Sequence, residues 1–273
     1  MTNLLLQQDS DPLYFQHSDF LGLQNDTVFH GFFSRRGGVS RDIFATLNCG
    51  PGSGEALSIV QKNRQIVSEI AGCEAKNLLS LHQIHSDQCL VVRESWDIEA
   101  RLQGDAMVTD VPGLALGVLT ADCAPVLFYG RKSDGAPVVG AAHAGWSGAL
   151  KGVLGTCVEA MLEIGAVPES IRACIGPCIG QKSYEVSEAF AEPFLKEDDG
   201  NEAFFMAGQR AGHLQFDLPG YCAAKLGRAG VKNVLIKDLD TYFNEEDFFS
   251  YRRAMHRHEK DYGRQISVVM IQE

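Results

Sequence analysis

The order and length of the apolar runs predict an α+β fold, with mixed β-sheets in a sandwich-like core flanked by helices. Three observations carry this expectation. Short apolar runs bounded by Gly or Pro outnumber helical patterns, and they cluster in the middle of the chain. Helical patterns do not alternate with them regularly, as a doubly wound parallel sheet would require. Nor does any period recur or any low-complexity linker divide the 273 residues. The chain is therefore read as an N-terminal lead-in, 1–27, followed by a single domain, 28–273.

Within the lead-in, Leu13–Gln16 has the pattern of a short strand. Val28–Ser34 is the first strand of the domain and runs into Arg35-Arg36-Gly37-Gly38, a turn with two adjacent cations. Asn48–Gly54 is a glycine-rich loop. Glu55–Ala71 follows as an amphipathic helix, with Leu57, Val60, Val67 and Ile70 on one face and Gly72 ending it. Strands at Leu78–Leu81 and Gln88–Val92 flank a polar loop, His82–Asp87. Ala106–Thr109, Leu114–Leu119, Val126–Tyr129 and Pro137–Ala142 read as buried strands. Ser147 is placed to cap a helix reaching Ile164, with Leu150, Val153, Leu154, Cys157 and Met161 inward. A strand at Arg172–Ile175, a helix near Ser187–Lys196 and a helix from Asp217 to Gly230, with Pro219 in its first turn, come next. Strands at Val234–Lys237 and Ile266–Ile271 complete the order.

Composition narrows the function. With 24 Lys+Arg against 35 Asp+Glu the net charge is −11, which argues against a nucleic-acid polymer or an anionic membrane as partner. An anionic substrate would need a local cluster of arginines. No apolar run approaches the roughly 20 residues of a membrane span. The first residues, Met1 to Asp9, lack a basic segment and a cleavage pattern, so the expected compartment is the cytoplasm. There the eight irregularly spaced cysteines are free thiols, most of them small buried hydrophobes, with one or two open to chemistry.

Standard catalytic signatures fail. Gly145-Trp146-Ser147-Gly148-Ala149 lacks the last Gly of a nucleophile elbow, and Gly180-Gln181-Lys182-Ser183 is not a Walker motif. Cys174 and Cys178 are too far apart for a metal knuckle. Three segments stand out instead: His82 and His85 in a polar loop, Thr120-Ala121-Asp122-Cys123 between two apolar strands, and His143 where a strand meets a turn. Taken singly, such a cysteine is ordinary core filling and such a histidine an ordinary hydrogen-bonder. Spacing alone does not bring them together.

Five segments in order carry a resemblance: Ser34-Arg35-Arg36-Gly37-Gly38-Val39-Ser40, Gln83-Ile84-His85-Ser86, Thr120-Ala121-Asp122-Cys123-Ala124-Pro125-Val126-Leu127, His143-Ala144-Gly145-Trp146 and Ile175-Gly176-Pro177-Cys178-Ile179-Gly180. The closing Tyr251-Arg252-Arg253 and Tyr262-Gly263-Arg264 add to it. Together they resemble the laccase-domain family, described as purine nucleoside phosphorylases with adenosine deaminase activity and also called peptidoglycan editing factors. The resemblance implies zinc held by His85, Cys123 and His143, with copper the lesser choice. One thiolate and two imidazoles leave a fourth position open, as in catalytic zinc sites. Beside Cys123, Asp122 is a candidate proton carrier or ligand partner, and His82, three residues before His85, a candidate catalytic group that orients ligand or substrate. Arg35, beside Gly37-Gly38 whose amides can approach an oxyanion, is the anion-site candidate, and Asn48, in a family-like Leu-Asn-x-Gly segment, a candidate holder of ribose or phosphate. Asp105 also matches a family position. The implied partners are small purine nucleosides (adenosine, inosine, methylthioadenosine) and phosphate, in a monomer or homodimer. Ser147 stands where the family often has Arg, with Lys151 one helical turn on, and Ile84 replaces the commoner Val.

Two alternatives share these residues. A Cys-His hydrolase would use Cys123 as nucleophile and His143 or His85 as base, on an amide or peptidoglycan-precursor substrate. A copper polyphenol oxidase would need several more His-x-His pairs than the single His256-Arg257-His258.

Overall fold

A computed structural model describes residues 14–21 and 27–273. Along it run β1 (Tyr14–Phe15), β2 (Val28–Phe33), α1 (Leu57–Ala71), β3 (Leu78–Leu79), β4 (Cys89–Val91), β5 (Ala106–Thr109), β6 (Ala115–Thr120), β7 (Ala124–Arg131) and β8 (Pro137–Ala144). The second half contains α2 (Trp146–Lys151), α3 (Val153–Glu163), β9 (Arg172–Ile175), β10 (Glu185–Ser187), α4 (Glu192–Glu197), β11 (Phe205–Ala207), β12 (His213–Phe216), α5 (Leu218–Arg228), β13 (Asn233–Ile236), α6 (Tyr251–His256) and β14 (Gln265–Ile271).

Two mixed sheets face each other, and a third, small one stands at the side. The first has the order β1-β2-β14-β6-β3 and the second β13-β9-β7-β8-β5-β4. Between them Phe32, Leu116, Val118 and Val269 of the first sheet pack in one cluster with Met107, Leu127, Val139 and Ala141 of the second. Because strand side chains alternate, each sheet also has an apolar outer face to cover. Helix α1 covers the first, setting Val67 and Ala71 against Leu78, Ala115 and Val268. Helices α3 and α5 cover the second, setting Leu154, Cys157 and Leu226 in one cluster with Val126, Phe128 and Ala142. The architecture is α+β, a two-sheet core flanked by helices.

At Gly176, just after β9, the second sheet lies close against Phe32 of the first. A Cβ there would lie 2.2 Å from Phe32 and 3.0 Å from Pro125. The Gly176 amide also donates to the Pro125 carbonyl at 2.8 Å.

Several elements differ from the reading above. The helix expected from Ser147 to Ile164 is two helices, because Gly152 adopts φ 110° and closes α2 before α3 begins. Its N-cap is Gly145, and Ser147 lies inside the first turn. The helix near Ser187–Lys196 is shorter: Ser187 ends β10, a 3₁₀ turn follows, and only Glu192–Glu197 is α-helical. The three-stranded sheet β10-β12-β11 was not expected, since its strands have only three or four residues each. Helix α6 was also missed, although Ser250 caps it by accepting from the Arg253 amide. Helix α5 matches its expectation, with Asp217 accepting from the Gly220 amide and Pro219 in the first turn. Leu13 and the first nine residues lie outside the described residues. Among the described residues no helix is long and apolar enough to cross a membrane, and all eight cysteines are free.

The close approach at Gly176 generates a test. Gly176→Ala forces Phe32 or the backbone to shift, so it is expected to destabilise the protein by about 1–3 kcal/mol, read from urea unfolding. Unchanged stability would mean that the sheets are not in contact there.

Candidate metal centre and its cavity

Strand pairing brings two of the three donors together. Cys123 immediately precedes β7 and His143 is the penultimate residue of β8, and these antiparallel neighbours pair Ala124 with Ala144 and Pro125 with His143. The third donor, His85, comes from the loop between β3 and β4. Its φ is 56°, in the left-handed region that non-glycine residues seldom adopt.

Asp105, fully buried before β5, holds that loop in place. Its carboxylate accepts from the amides of Ile84 (3.2 Å), His85 (3.0 Å) and Ser86 (2.6 Å) and from the Ser86 hydroxyl (2.7 Å). It also accepts from His143 Nδ1 at 2.9 Å, which leaves Nε2 as that ring's free nitrogen. One carboxylate thus orients both imidazoles. Burial alone would raise its pKa, but the bonds from His143 and Ser86 outweigh burial and hold it well below the usual carboxylate range.

The donor atoms of His85, Cys123 and His143 lie within 4.8 Å of one another. Cys123 Sγ is 3.8 Å from His85 Nε2, and the two imidazole centroids are 4.8 Å apart at 79°. Donors around one tetrahedral ion with bonds of about 2.0–2.3 Å stand roughly 3.5 Å apart, so a small inward movement completes the set. The electrostatics agree. Burial would raise the Cys123 thiol, but the charge and hydrogen bond of His143, with the bond to His85, bring it down to about 6. Burial would lower His143, but Cys123 and Asp105 raise it to about 9. Gly145 makes the approach possible, since a Cβ there would sit 2.8 Å from the His85 ring and 2.9 Å from Cys123 Sγ. The three residues fit a metal ion, and among the described residues no other group of donors does.

The centre opens into a cavity of about 550 Å³. Trp146, Tyr184, Tyr251 and Tyr262 give its wall aromatic surface, and Arg101, Arg252 and Arg264 give it positive charge. The small side sheet supports part of this wall: Trp146 rests on Phe190 at 5.0 Å, and Phe190 packs on Phe216 of β12 at 5.5 Å. Arg252 stacks near Tyr184 at 5.3 Å and donates to the Glu185 carbonyl, while Arg264 stacks on Tyr262 at 4.1 Å.

Of the remaining expected site residues, His82 lies exposed in the cavity wall. Asp122 borders the cavity with φ 89°, but its carboxylate accepts from Thr241 Oγ1 (2.7 Å), Ser250 Oγ (2.9 Å) and the Arg252 amide (2.7 Å). Burial raises its pKa, and those hydrogen bonds offset the rise only in part. Asn48 is buried behind the wall, where it accepts from the amides of Gly50 and Arg264 and donates to Ser53 and Glu55. Arg35 is not brought to the centre. Its guanidinium stacks over Phe249 at 4.4 Å, donates to the carbonyls of Ala45 and Glu245, and lines a second cavity of about 360 Å³. Lys151 donates to the His85 carbonyl at 2.7 Å, so it braces the loop. Arg101 in the wall has no signal in the sequence, whereas Arg252 and Arg264 belong to the C-terminal pattern noted there.

Residues 29–272 match a family model described as multi-copper polyphenol oxidoreductase laccase. The chain belongs to this laccase family. A Rickettsia conorii relative named purine nucleoside phosphorylase is 34% identical over 238 residues, 87% of this chain and 94% of that one. Purine nucleoside phosphorylase YfiH of Escherichia coli is 33% identical over 238 residues, 87% of this chain and 91% of that one. Among solved structures, YlmD of Geobacillus stearothermophilus superposes with a TM-score of 0.83 at 26% identity, covering 99% of both chains. A Neisseria meningitidis protein reaches 0.80 at 30% identity, covering 96% of this chain and all of its own. The laccase family's fold is shared along nearly the whole chain.

Two outcomes follow. Asp105→Asn keeps the volume but weakens the bonds that set both imidazoles, so metal affinity should drop by about 10–100-fold in a chelator titration. In metal-stripped protein the thiolate of Cys123 forms as pH rises through about 6. Iodoacetamide should therefore label Cys123 ahead of the other thiols at pH 7, with half-maximal rate near pH 6. Labelling led by another cysteine would refute that electrostatic reading.

Proposed function

We propose that the chain is a zinc-dependent purine nucleoside phosphorylase with adenosine deaminase activity, working in the cytoplasm on adenosine, inosine and methylthioadenosine. The observation that supports this best is the His85, Cys123 and His143 donor set opening into a cavity of about 550 Å³ with aromatic and cationic walls. Such a cavity has the size and lining of a small-ligand site. The relatives' names point to nucleoside and phosphate as substrates.

In this reading Tyr251, Tyr262 and Trp146 offer ring surface to a purine, while Arg252 and Arg264 supply positive charge for oxygen atoms. When bound, the metal supplies Lewis acidity. Phosphorolysis forms a bond from phosphate oxygen to C1′ and breaks the bond from C1′ to the base, whose electron pair leaves with the purine. The departing purine takes up a proton, and His82, exposed in the wall, is the residue assigned to give it. Deamination replaces the amine at C6 with oxygen from water and releases ammonia, with His82 again carrying the proton. Asp122 acts through position: its bonds to Thr241, Ser250 and Arg252 hold Cys123 on one side and Arg252 on the other. Asn48 does the same for Arg264 and the Gly50 loop.

A Cys-His hydrolase has one supporting observation, the contact between a depressed thiol and two imidazoles. Metal content and products separate the readings. Adenosine incubated with the protein should give inosine without phosphate and adenine plus ribose 1-phosphate with it. Cys123→Ala should lose the metal and both products. Retention of either product by the variant, or no product from the unaltered protein, would sink the proposal.

A further inference from the structure

Two neighbouring arginines, one on α1 and one in the cavity wall, lack a counter-charge among the described residues. Arg64 on α1 is only 5% exposed. Its Nη2 donates to the Leu78 carbonyl at 2.6 Å, but its Nη1 is buried without a partner. Arg101, in the cavity wall, has a buried Nε that also lacks a partner. Burial lowers both guanidinium pKa values, Arg64 to about 10, and the charge of Arg101 lowers Arg64 further. Among the described residues no carboxylate pairs with either. The groups that do act on Arg64 in its favour are Cys49 and Cys73, which burial pushes up to about 12 and about 11, so both are neutral thiols at neutral pH.

Two neighbouring cations removed from water, with unmade hydrogen bonds and mutual repulsion, are unfavourable unless an anion joins them. An oxyanion in the cavity can accept from the Arg101 guanidinium, which lines the wall, while Arg64 lies behind it and adds positive charge. We infer that Arg101, backed by Arg64, forms an oxyanion subsite in the cavity wall, and that its ligand is inorganic phosphate. The ligand's role as cosubstrate rests on the phosphorolysis reading, whereas its binding does not. This subsite takes the place that the sequence assigned to Arg35, whose guanidinium faces a different cavity.

The test is calorimetric titration of inorganic phosphate into the metal-loaded full chain, as isolated and as Arg101→Gln and Arg101→Lys. A charge-assisted hydrogen bond predicts on the order of ten-fold weaker binding or more for Arg101→Gln, with Arg101→Lys in between. Melting curves exclude a merely structural role. In phosphate-free buffer Arg101→Gln should melt no lower than the unaltered protein, because it removes an unpaired charge, and phosphate should stabilise it less. The inference is overturned if Arg101→Gln binds phosphate equally well, if it melts lower in both buffers, or if the unaltered protein binds no phosphate. It is also overturned if adenosine 5′-monophosphate depends on Arg101 and inorganic phosphate does not. Phosphate binding through Arg101 without adenine release would refute the phosphorolysis reading and leave the subsite standing. Adenine release with Arg101-independent phosphate binding would do the reverse.

Discussion

Everything at the metal centre hangs on the Asp105 carboxylate. Its oxygens gather the amides of Ile84, His85 and Ser86, the Ser86 hydroxyl and the His143 ring. A buried carboxylate is tolerated only when it is so satisfied, and here the satisfaction itself forces the loop around His85 into place. Asp122 gives a contrast. It is also buried, but it accepts three hydrogen bonds and touches no imidazole, and its pKa moves the opposite way. Two carboxylates thus serve one centre from either side, the first through its histidines and the second through the backbone of its cysteine.

Cys123 is where it is because the chain changes sheets there. β6 belongs to the first sheet and β7 to the second, and only Ala121, Asp122 and Cys123 separate them. A crossing this short needs an unusual backbone, and Asp122 supplies it with φ 89°. The cavity is lined by this crossing, Thr120 to Cys123, and Gly176 leaves room nearby for Phe32 against Pro125.

The core strands and the longer helices were legible because their signals are local: apolar runs bounded by glycine or proline, and a helical face ended by Gly72. The donor set was legible only through the ordered motifs, since periodicity says nothing about residues 38 and 20 positions apart meeting in space. The break at Gly152 was hidden because the apolar stripe continues across it. The small sheet was hidden because strands of three residues carry too little pattern. Arg35 misled for a plain reason: a turn with two cations and two glycines describes an anion site and a stacking contact on Phe249 equally well. Arg101 was invisible, because its meaning lies in the partners it lacks.

The place of β14 has a consequence for how the molecule is made. It lies between β2 and β6 at the centre of the first sheet, pairing antiparallel with both, yet its residues are synthesised after every other described strand. Until they emerge, β2 and β6 have no common neighbour, and the wall supplied by Tyr262 and Arg264 does not exist. The nascent chain must keep two apolar half-sheets apart from other surfaces while it waits, and such non-local closure is intrinsically slow. Completion of the cavity wall is therefore a late event of folding, coming after the segments that carry Cys123, Asp105 and His143 have been made.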